Sequence, residues 1–268
     1  MVAEKCLRIM NDYYSVERIL QEYCHKVNNK VRLIKNKYHL SRGSDKQWMR
    51  KIRECQEEIT NSNPHPHYLS EYRDSEISYW LHIPKWMYED SKKKTINRCL
   101  DIGCAYGTLA LYSKRLFKCE VYCIDFLETY INQELAKRHF FFKVNNIELD
   151  PFPWEGQYDV IIFTEVLEHL NLHPVPTLKK INDLLALNGV LYLSTPDASQ
   201  WGRVTKYYAN YKDMPAKING LDVVDDHIYH YNKHELLEII DEAGFRIERL
   251  KYSPGLLNRN FNLTLVKS

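Results

Sequence analysis

The chain has 268 residues, 44% of them hydrophobic, and is therefore long enough to bury one large core or a core with an appendage. Its formal net charge of +2 excludes a global electrostatic preference for nucleic acid. No apolar run approaches the roughly 20 residues of a membrane span, and the cysteines around the first two predicted strands form no Cys-x-x-Cys pair, so we expect a cytoplasmic protein with free thiols and no membrane contact.

Residues 1–95 are predicted to form a helical extension that acts as a lid. Apolar residues recur at helical spacing from Ile9 to Tyr23, and the pattern returns from Trp48 to Ile59. We interpret these segments as amphipathic helices that pack on a core, and they are also the candidate surface for a homodimer. The breaker cluster from Asn61 to His67 marks a joint, and we assign no chemistry to its histidines. An aromatic-rich segment from Tyr68 to Glu89 follows as one or two helices.

From Arg98 onward, short apolar runs alternate with helical patterns, which predicts an α/β domain over residues 96–268. The predicted strands are Cys99–Ile102, Glu120–Ile124, Phe140–Val144, Tyr158–Phe163, Val190–Ser194, Phe245–Leu250 and Asn260–Val266. The predicted helices are Thr108–Phe117, Leu127–Lys137, Val175–Leu187 with a stop at Asn188-Gly189, and Lys233–Ala243. We expect a doubly wound, mostly parallel sheet of seven strands, with the closing pair antiparallel.

Glycines and polar residues stand where three successive strands end. Asp101, Gly103 and Gly107 follow the first strand, Asp125 closes the second, and Asn145-Asn146-Ile147 follows the third. The carboxyl ends of parallel strands line the ligand crevice of an open α/β sheet. The two glycines permit positive φ, Asp125 can accept both hydroxyls of a ribose, and the Asp101 carboxylate favours a cation over a pyrophosphate. The pattern therefore predicts a site for a positively charged nucleoside.

In this order and spacing, the segments resemble the class I S-adenosylmethionine-dependent methyltransferases over about residues 95–250. The matching segments are Leu100-Asp-Ile-Gly-Cys-Ala-Tyr-Gly107, Ile124-Asp125-Phe126, Asn146-Ile-Glu-Leu-Asp-Pro-Phe152, Tyr158-Asp-Val-Ile-Ile-Phe-Thr-Glu-Val-Leu-Glu-His-Leu170, Asn188-Gly-Val-Leu-Tyr-Leu-Ser-Thr-Pro196 and Glu238-Ile-Ile-Asp-Glu-Ala-Gly-Phe245. A dinucleotide-binding dehydrogenase would require Gly-x-Gly-x-x-Gly for its pyrophosphate, whereas here the second glycine is missing and a carboxylate leads the turn.

The resemblance implies a cofactor-binding role for each matching residue. The implied residues are Asp101, Gly103, Cys104, Ala105, Gly107, Asp125, Phe126, Asn146, Ile147, Thr164 and Glu165. Asp101 would hold the amino-acid end of S-adenosylmethionine, and Asp125 would bind its ribose. Ala105 replaces a common glycine, which is tolerable if φ stays negative there. Asn146 replaces a common aspartate, and its carbonyl would have to face the exocyclic amine of adenine.

Two histidine-containing clusters are candidates for the chemistry at the acceptor. Glu165, Glu168 and His169 resemble, with His227, the metal ligands of small-RNA 3′-terminal 2′-O-methyltransferases, and some ubiquinone-pathway O-methyltransferases look similar here. The same Glu-Val-Leu-Glu-His-Leu segment also occurs in methyltransferases without metal. His169, His227 and His230, assisted by Glu165, are therefore candidate general bases, because an imidazole removes protons near neutral pH.

The long insertion between the fifth strand and the last helix, residues 197–232, mixes aromatic and basic side chains. Its members are Trp201, Arg203, Lys206, Tyr207, Tyr208, Tyr211 and Lys212. This composition favours a small-molecule acceptor such as a sugar, a nucleotide-linked sugar or an aromatic acid. One alternative is a metal-assisted RNA 2′-O-methyltransferase, which the basic stretch from Arg42 to Arg53 favours. Another is a non-catalytic cofactor-binding subunit whose N-terminal helices bind a partner.

Overall fold

The computed structural model describes residues 47–218, 220–253 and 259–268, which belong to a compact unit that begins at Asp45. The predicted amphipathic stripe from Ile9 to Tyr23 lies outside the described residues, as do residues 42–46 of the basic stretch from Arg42 to Arg53, whose remainder lies in the first described helix. Within the described ranges, no helix is both long enough and apolar enough to cross a membrane.

A seven-stranded sheet forms the centre of this unit, as predicted. Its strands are β1 (Arg98–Ile102), β2 (Glu120–Asp125), β3 (Phe141–Val144), β4 (Tyr158–Thr164), β5 (Leu185–Pro196), β6 (Phe245–Tyr252) and β7 (Asn260–Lys267). The order across the sheet is β3-β2-β1-β4-β5-β7-β6, and β7 runs antiparallel to both of its neighbours. The other pairings are parallel, so the carboxyl ends of β1, β2 and β4 meet at one edge.

Helices cover the sheet and also precede it. They are α1 (Gln47–Asn61), α2 (Arg73–Trp80), α3 (His82–Asp90), α4 (Thr108–Phe117), α5 (Gln133–His139), α6 (Pro174–Leu184), the single turn α7 (Ala198–Trp201) and α8 (Lys233–Glu242). A π-helical turn (Tyr68–Tyr72) leads into α2, and 3₁₀ turns cover Leu167–His169 and Tyr211–Asp213.

Two predicted helix boundaries are wrong. The helix expected from Leu127 begins only at Gln133, because the Asn132 side chain caps it by accepting from the Leu135 N–H at 2.9 Å. The helix expected to end at Asn188-Gly189 ends at Leu184. Leu185 is fully buried and pairs with a residue of β4, so sheet pairing overrides the helical pattern there.

Helices α1 and α3 pack on α4, and helices α2 and α3 contact strands β5 and β7. The Tyr112 hydroxyl of α4 donates to the Pro84 carbonyl of α3 at 3.0 Å, and Asn262 of β7 donates to the Tyr79 carbonyl of α2 at 2.8 Å. The helices therefore belong to the same compact unit as the sheet, although the sequence had placed a domain boundary at residue 95. Their position brings α2 next to the carboxyl ends of the strands.

Candidate active site

The turn after β1 has the left-handed backbone that its glycines permit. Gly103 has φ +70° and Gly107 has φ +82°, and the Gly103 N–H donates to the Ile124 carbonyl at 2.8 Å. Ala105 has φ +43°, so the expectation of a negative φ at this position is wrong. Its N–H donates to the Asp125 carboxylate at 2.9 Å, and this bond helps to hold the alanine in a disfavoured conformation.

Asp125 connects the turn to the ligand crevice. Its Oδ2 accepts from Ala105, its Oδ1 accepts from the Leu127 N–H at 3.1 Å, and burial raises its pKa. Each carboxylate oxygen can accept more than one hydrogen bond, so lone pairs remain for a ribose. The residue also lines the two larger cavities at this edge of the sheet, as its predicted role requires.

The largest of three adjoining cavities has a volume of about 400 Å³. It begins at Gly103, Ala105, Asp125 and Phe126 of the predicted cofactor site. It continues to residues that only the fold brings together, namely His67, Tyr72, Tyr79, Tyr106, Tyr130, Glu165, Glu168, His169, Trp201, Asp225 and His227. A cofactor and an acceptor can therefore share one chamber, in which their reacting atoms can meet.

A second cavity, of about 60 Å³, lies beside Phe126, Asn146 and Ile147 and suits an adenine ring. Its walls are mainly apolar and include Ile147 and Leu170. The side-chain oxygen Oδ1 of Asn146 accepts from the Glu148 N–H at 2.9 Å, and its role toward the exocyclic amine of adenine stays a prediction. The neighbouring Asn145 instead has a buried Oδ1 without a hydrogen-bond partner among the described residues.

The third cavity, of about 20 Å³, lies on the other side of the glycine turn. It shares Gly103 and Ala105 with the largest cavity, and three further predicted cofactor residues, Asp101, Cys104 and Thr164, line it together with Glu76 of α2. Gly107 lines none of the three cavities. It is the N-cap residue of α4, and a Cβ at this position would lie 3.2 Å from the Phe140 ring. These cavities contain buried polar groups and a backbone cradle that fit the three parts of S-adenosylmethionine.

Glu165 follows β4 with a positive φ of +55°, which is rare outside glycine. Its carboxylate accepts from the Ser194 hydroxyl at 2.6 Å and from the Asn260 amide. These contacts stabilise a strained backbone at the edge of the largest cavity. Among the described residues, the group whose ligand atoms could hold a metal ion consists of Glu168, His169 and His227 and does not include Glu165.

Glu168, His169 and His227 bring ligand atoms within 4.8 Å of one another. Glu168 is 1% exposed, and burial with the nearby Glu165 raises its pKa well above the ordinary value. Its Oε2 accepts from Thr195 at 3.0 Å, whereas Glu168 Oε1 and His169 Nδ1 have no hydrogen-bond partner among the described residues. Burial lowers the pKa of His169. The cluster has the donor set of a divalent cation site and can also exchange a proton.

A chain of hydrogen bonds determines which nitrogen of His227 carries a proton. His230 Nδ1 lies 2.8 Å from the Gly202 carbonyl, which can only accept, so this nitrogen is protonated. His230 Nε2 then accepts from His227 Nδ1 at 2.6 Å, which leaves the lone pair on His227 Nε2. Burial and the two neighbouring histidines lower the His227 pKa to about 4, so the ring is neutral at pH 7. His227 lines the cavity, and His230 acts through it.

Sequence analysis missed two side chains of this site that come from the helical segments. His67, to which no chemistry was assigned, lines the largest cavity and lies 2.8 Å from the Tyr106 hydroxyl. Glu76 was not considered, because a single acidic residue in a helical segment forms no distinctive sequence pattern. Its burial on α2 is visible only in the structure, where it is notable because buried carboxyls are rare unless they have partners.

A family model that describes a methyltransferase domain matches residues 46–250. This range covers most of the chain and runs from α1 into β6. No curated protein matches the chain. The family match therefore assigns the chain to the methyltransferases.

Solved structures share the fold at low identity. A S-adenosylmethionine-dependent methyltransferase from Clostridium acetobutylicum ATCC 824 has a TM-score of 0.52 at 11% identity, covering 75% of this chain and 96% of that chain. An O-methyltransferase from a trans-AT PKS multienzyme of Brevibacillus brevis, in complex with S-adenosylhomocysteine, has a TM-score of 0.51 at 15% identity, covering 69% and 71%. The [4+2]-cyclase SpnF has a TM-score of 0.52 at 15% identity, covering 69% and 80%. With its matched family model and this fold, the chain belongs to the class I S-adenosylmethionine-dependent methyltransferases.

Proposed function

We propose that the chain transfers a methyl group to a hydroxyl or amine of a small polar metabolite with sugar-like chemistry. The observation that carries this proposal is the 400 Å³ cavity, which joins the cofactor residues Gly103 and Asp125 to His227. S-Adenosylmethionine supplies the activated methyl group when bound. The protein has to align the acceptor, exclude water and take up a proton.

The charge of the cavity favours a neutral or cationic acceptor. Four carboxyl groups line it, those of Asp125, Glu165, Glu168 and Asp225, and no lysine or arginine does so among the described residues. Three basic residues of the insertion are paired elsewhere: Arg203 with Glu235, Lys206 with Asp226 and Lys212 with Glu238. An anionic acceptor would meet repulsion without a compensating cation. Nucleotide-linked sugars, aromatic acids and RNA are therefore poorer candidates than an uncharged sugar or an amine.

Aromatic side chains supply the remaining walls. The Tyr72 and Tyr130 rings pack at an angle against Tyr106, with centroids 4.9 and 5.5 Å from its own, and Trp201 lines the same cavity, 6.4 Å from the Tyr79 ring. Flat aromatic faces pack against the C–H faces of a sugar ring, while carboxylates accept from its hydroxyls. This combination supports a sugar-like acceptor.

His227 is the side chain best placed to take the acceptor's proton. Its Nε2 lone pair faces away from His230, and its ring lines the cavity. A pKa of about 4 makes it a weak base in the resting protein. A weak base is sufficient here, because a methylated hydroxyl that still holds its proton is a far stronger acid than imidazolium. The imidazole can therefore accept the proton as the new C–O bond forms.

A screen with isotopically labelled S-adenosylmethionine tests this function. The acceptor panel contains neutral sugars, amino sugars, simple amines, nucleotide-linked sugars, aromatic acids and short RNA. We expect label in a neutral sugar or an amine, with a His227→Gln chain as the inactive reference. Transfer only to RNA or to anionic acceptors, or transfer to none of the panel, contradicts the proposal.

A second candidate function is metal-assisted methylation of a hydroxyl. It is favoured by the unpartnered Glu168 Oε1 and His169 Nδ1, which share the ligand group with His227. A divalent cation held by these three residues would lower the pKa of an acceptor hydroxyl. Emission spectroscopy after equilibration with Mg²⁺, Mn²⁺ or Zn²⁺ tests it. We expect stoichiometric metal that is lost in Glu168→Gln and kept in the exposed control His234→Gln, and a metal-free wild-type chain would contradict it.

A further inference from the structure

The 20 Å³ cavity beside the glycine turn has room for one group about the size of a water molecule. An ammonium group has that size. The cavity lies next to Gly103 and Ala105, which also line the 400 Å³ chamber, so a ligand in the chamber can extend one small group into it. Two acidic side chains line it, Asp101 from β1 and Glu76 from α2.

Glu76 is held by one of its two oxygens. It is 2% exposed, and its Oε1 accepts from Gln56 at 2.6 Å, Thr108 at 3.1 Å and Tyr68 at 3.3 Å. Among the hydrogen bonds found between described residues, none goes to its Oε2. The carboxyl group is therefore fixed in place by α1, α4 and the π-helical turn, while one oxygen remains available for a ligand.

The cavity contains no positive charge to balance these acids. None of its lining residues is lysine, arginine or histidine, and the nearby Arg53 donates to Gln56 at 2.8 Å. Burial, together with Asp125, raises the Asp101 pKa to about 8, and burial raises the Glu76 pKa to about 7. Buried carboxyl groups normally have a cationic partner. The missing partner is therefore a cation that comes with the ligand.

We propose that Glu76 and Asp101 together bind the α-ammonium group of S-adenosylmethionine, and that binding ionises one of the two carboxyl groups, which releases its proton to solvent. The proposal rests on the cofactor and is independent of the acceptor. Glu76 thereby makes the helical segment part of the cofactor site. Because the proton leaves a carboxyl group and the ammonium keeps its own, the complex contains a cation and its counter-charge.

Several titratable or charged groups surround the two carboxyls and share this electrostatic environment. They are Arg53 on α1, Tyr68 and Tyr72 on the π-helical turn, Cys104 and Tyr106 in the glycine turn, and Cys123 and Asp125 on β2. Burial raises the pKa of each tyrosine, so these rings stay neutral near pH 7. The carboxyls of Glu76 and Asp101 are therefore the groups that titrate when the cation arrives.

Calorimetric titration with S-adenosylhomocysteine in buffers of different ionisation enthalpy tests the proposal. The comparison ligand is an analogue of S-adenosylhomocysteine in which hydrogen replaces the α-ammonium group. At pH 6.5 we expect the wild type to release about one proton more with the first ligand than with the second. Glu76→Gln should weaken the first ligand by about tenfold or more, leave the second within about twofold, and lower the proton count.

Asp74→Asn is the matched control, since Asp74 is an exposed acid on the same helix. It should leave both affinities and the proton count unchanged. Unaltered binding of S-adenosylhomocysteine to Glu76→Gln would overturn the proposal. Equal weakening of both ligands would show a merely structural role and overturn it too. If Glu76→Gln does not fold, the wild type alone decides, because equal proton release with the two ligands contradicts the proposal.

Discussion

At the residue scale, Gly103 occupies a position where a side chain meets both steric and backbone obstacles. Its φ is +70°, and an added Cβ would lie 2.4 Å from Val166 Cγ2. Gly202 has φ +85° with no heavy atom within 4 Å of an added Cβ, so it isolates the backbone cost. With ψ 162°, Gly202 lies in a region that essentially only glycine occupies, and we expect Gly202→Ala to lose about 1–3 kcal/mol of unfolding free energy. Gly103→Ala should lose more, as measured by urea denaturation.

Val166→Ala added to Gly103→Ala should recover part of that loss, since it removes the clashing methyl group. Equal losses in Gly103→Ala and Gly202→Ala would show that the turn relaxes around the new side chain. The same comparison made with S-adenosylhomocysteine should show weakened binding only in Gly103→Ala, because Gly103 lines the cofactor cavities and Gly202 does not.

A second prediction at this scale concerns His227. With the cofactor saturating, His227→Gln should lower the methylation rate by about 10²–10⁴-fold, because it removes the proton acceptor. Binding of S-adenosylhomocysteine should be nearly unchanged. His234→Gln, whose side chain is 88% exposed, is the control and should keep the wild-type rate.

The pH profile gives an independent measure of the same residue. With a pKa of about 4, His227 becomes protonated only well below neutral pH. The rate at saturating cofactor should therefore stay level from pH 8 to about pH 5 and fall below that. A profile that already falls by half near pH 6.5 would point to a different base.

At the element scale, α3 is fastened to the sheet through its last residue. Asp90 Oδ2 accepts from the Tyr192 hydroxyl of β5 at 2.7 Å and from the Arg249 guanidinium of β6. We expect Asp90→Asn to lose about 1–3 kcal/mol of unfolding free energy, measured in urea, because a partly buried charged contact becomes weaker.

Glu89 offers a matched control for that substitution. It is the preceding residue of α3, is 43% exposed and lies 3.9 Å from the same guanidinium. Glu89→Gln should change the unfolding free energy by less than about 1 kcal/mol, as is usual for exposed ion pairs. A loss as large as that of Asp90→Asn would mean that charge in general, rather than this buried contact, fastens the helix.

Strands were easier to predict than the ends of helices. The bounds of β1, β2, β3 and β6 differ from the predicted ones by one or two residues, because short apolar runs between turns encode buried strands. The helix errors arose where a local signal was overruled or overlooked. Asn188-Gly189 resembles a helix stop but lies within β5, where a Cβ on Gly189 would meet Leu185 at 2.8 Å. Asn132 is a helix cap within a segment whose apolar spacing alone continues smoothly.

At the scale of the whole molecule, the buried acids make stability depend on pH. Glu76 and Asp101 are protonated in the folded chain up to pKa values of about 7 and 8, whereas they ionise near pH 4 when unfolded. Between these values the folded state binds more protons than the unfolded state. The unfolding free energy contributed by these groups is therefore present at low pH and is lost as the pH rises toward 8.

The difference in unfolding free energy between the wild type and Glu76→Gln isolates one of these groups. Without ligand, we expect the variant to become more stable relative to the wild type as the pH rises from 5 to 8. The reason is that only the wild type releases a proton from residue 76 when it unfolds. Histidines contribute equally to both chains and cancel. Thermal unfolding at a series of pH values measures the difference, and a pH-independent difference would contradict the raised pKa of Glu76.

The cofactor and the order of the strands along the chain were predictable from local sequence patterns. Asp101, the turn from Gly103 to Gly107, and Asp125 are local patterns, and local patterns encode backbone conformation at strand ends. The side chains that distant segments add to these cavities, and the pairing of charged residues, follow from the tertiary fold. Glu76 accepts a hydrogen bond from Thr108, which lies 32 residues further along the chain, and Arg203 donates one to Glu235 at the same sequence separation. Burial and charge pairing depend on such distant contacts, so the acidic, aromatic character of the 400 Å³ cavity is visible only in the folded chain.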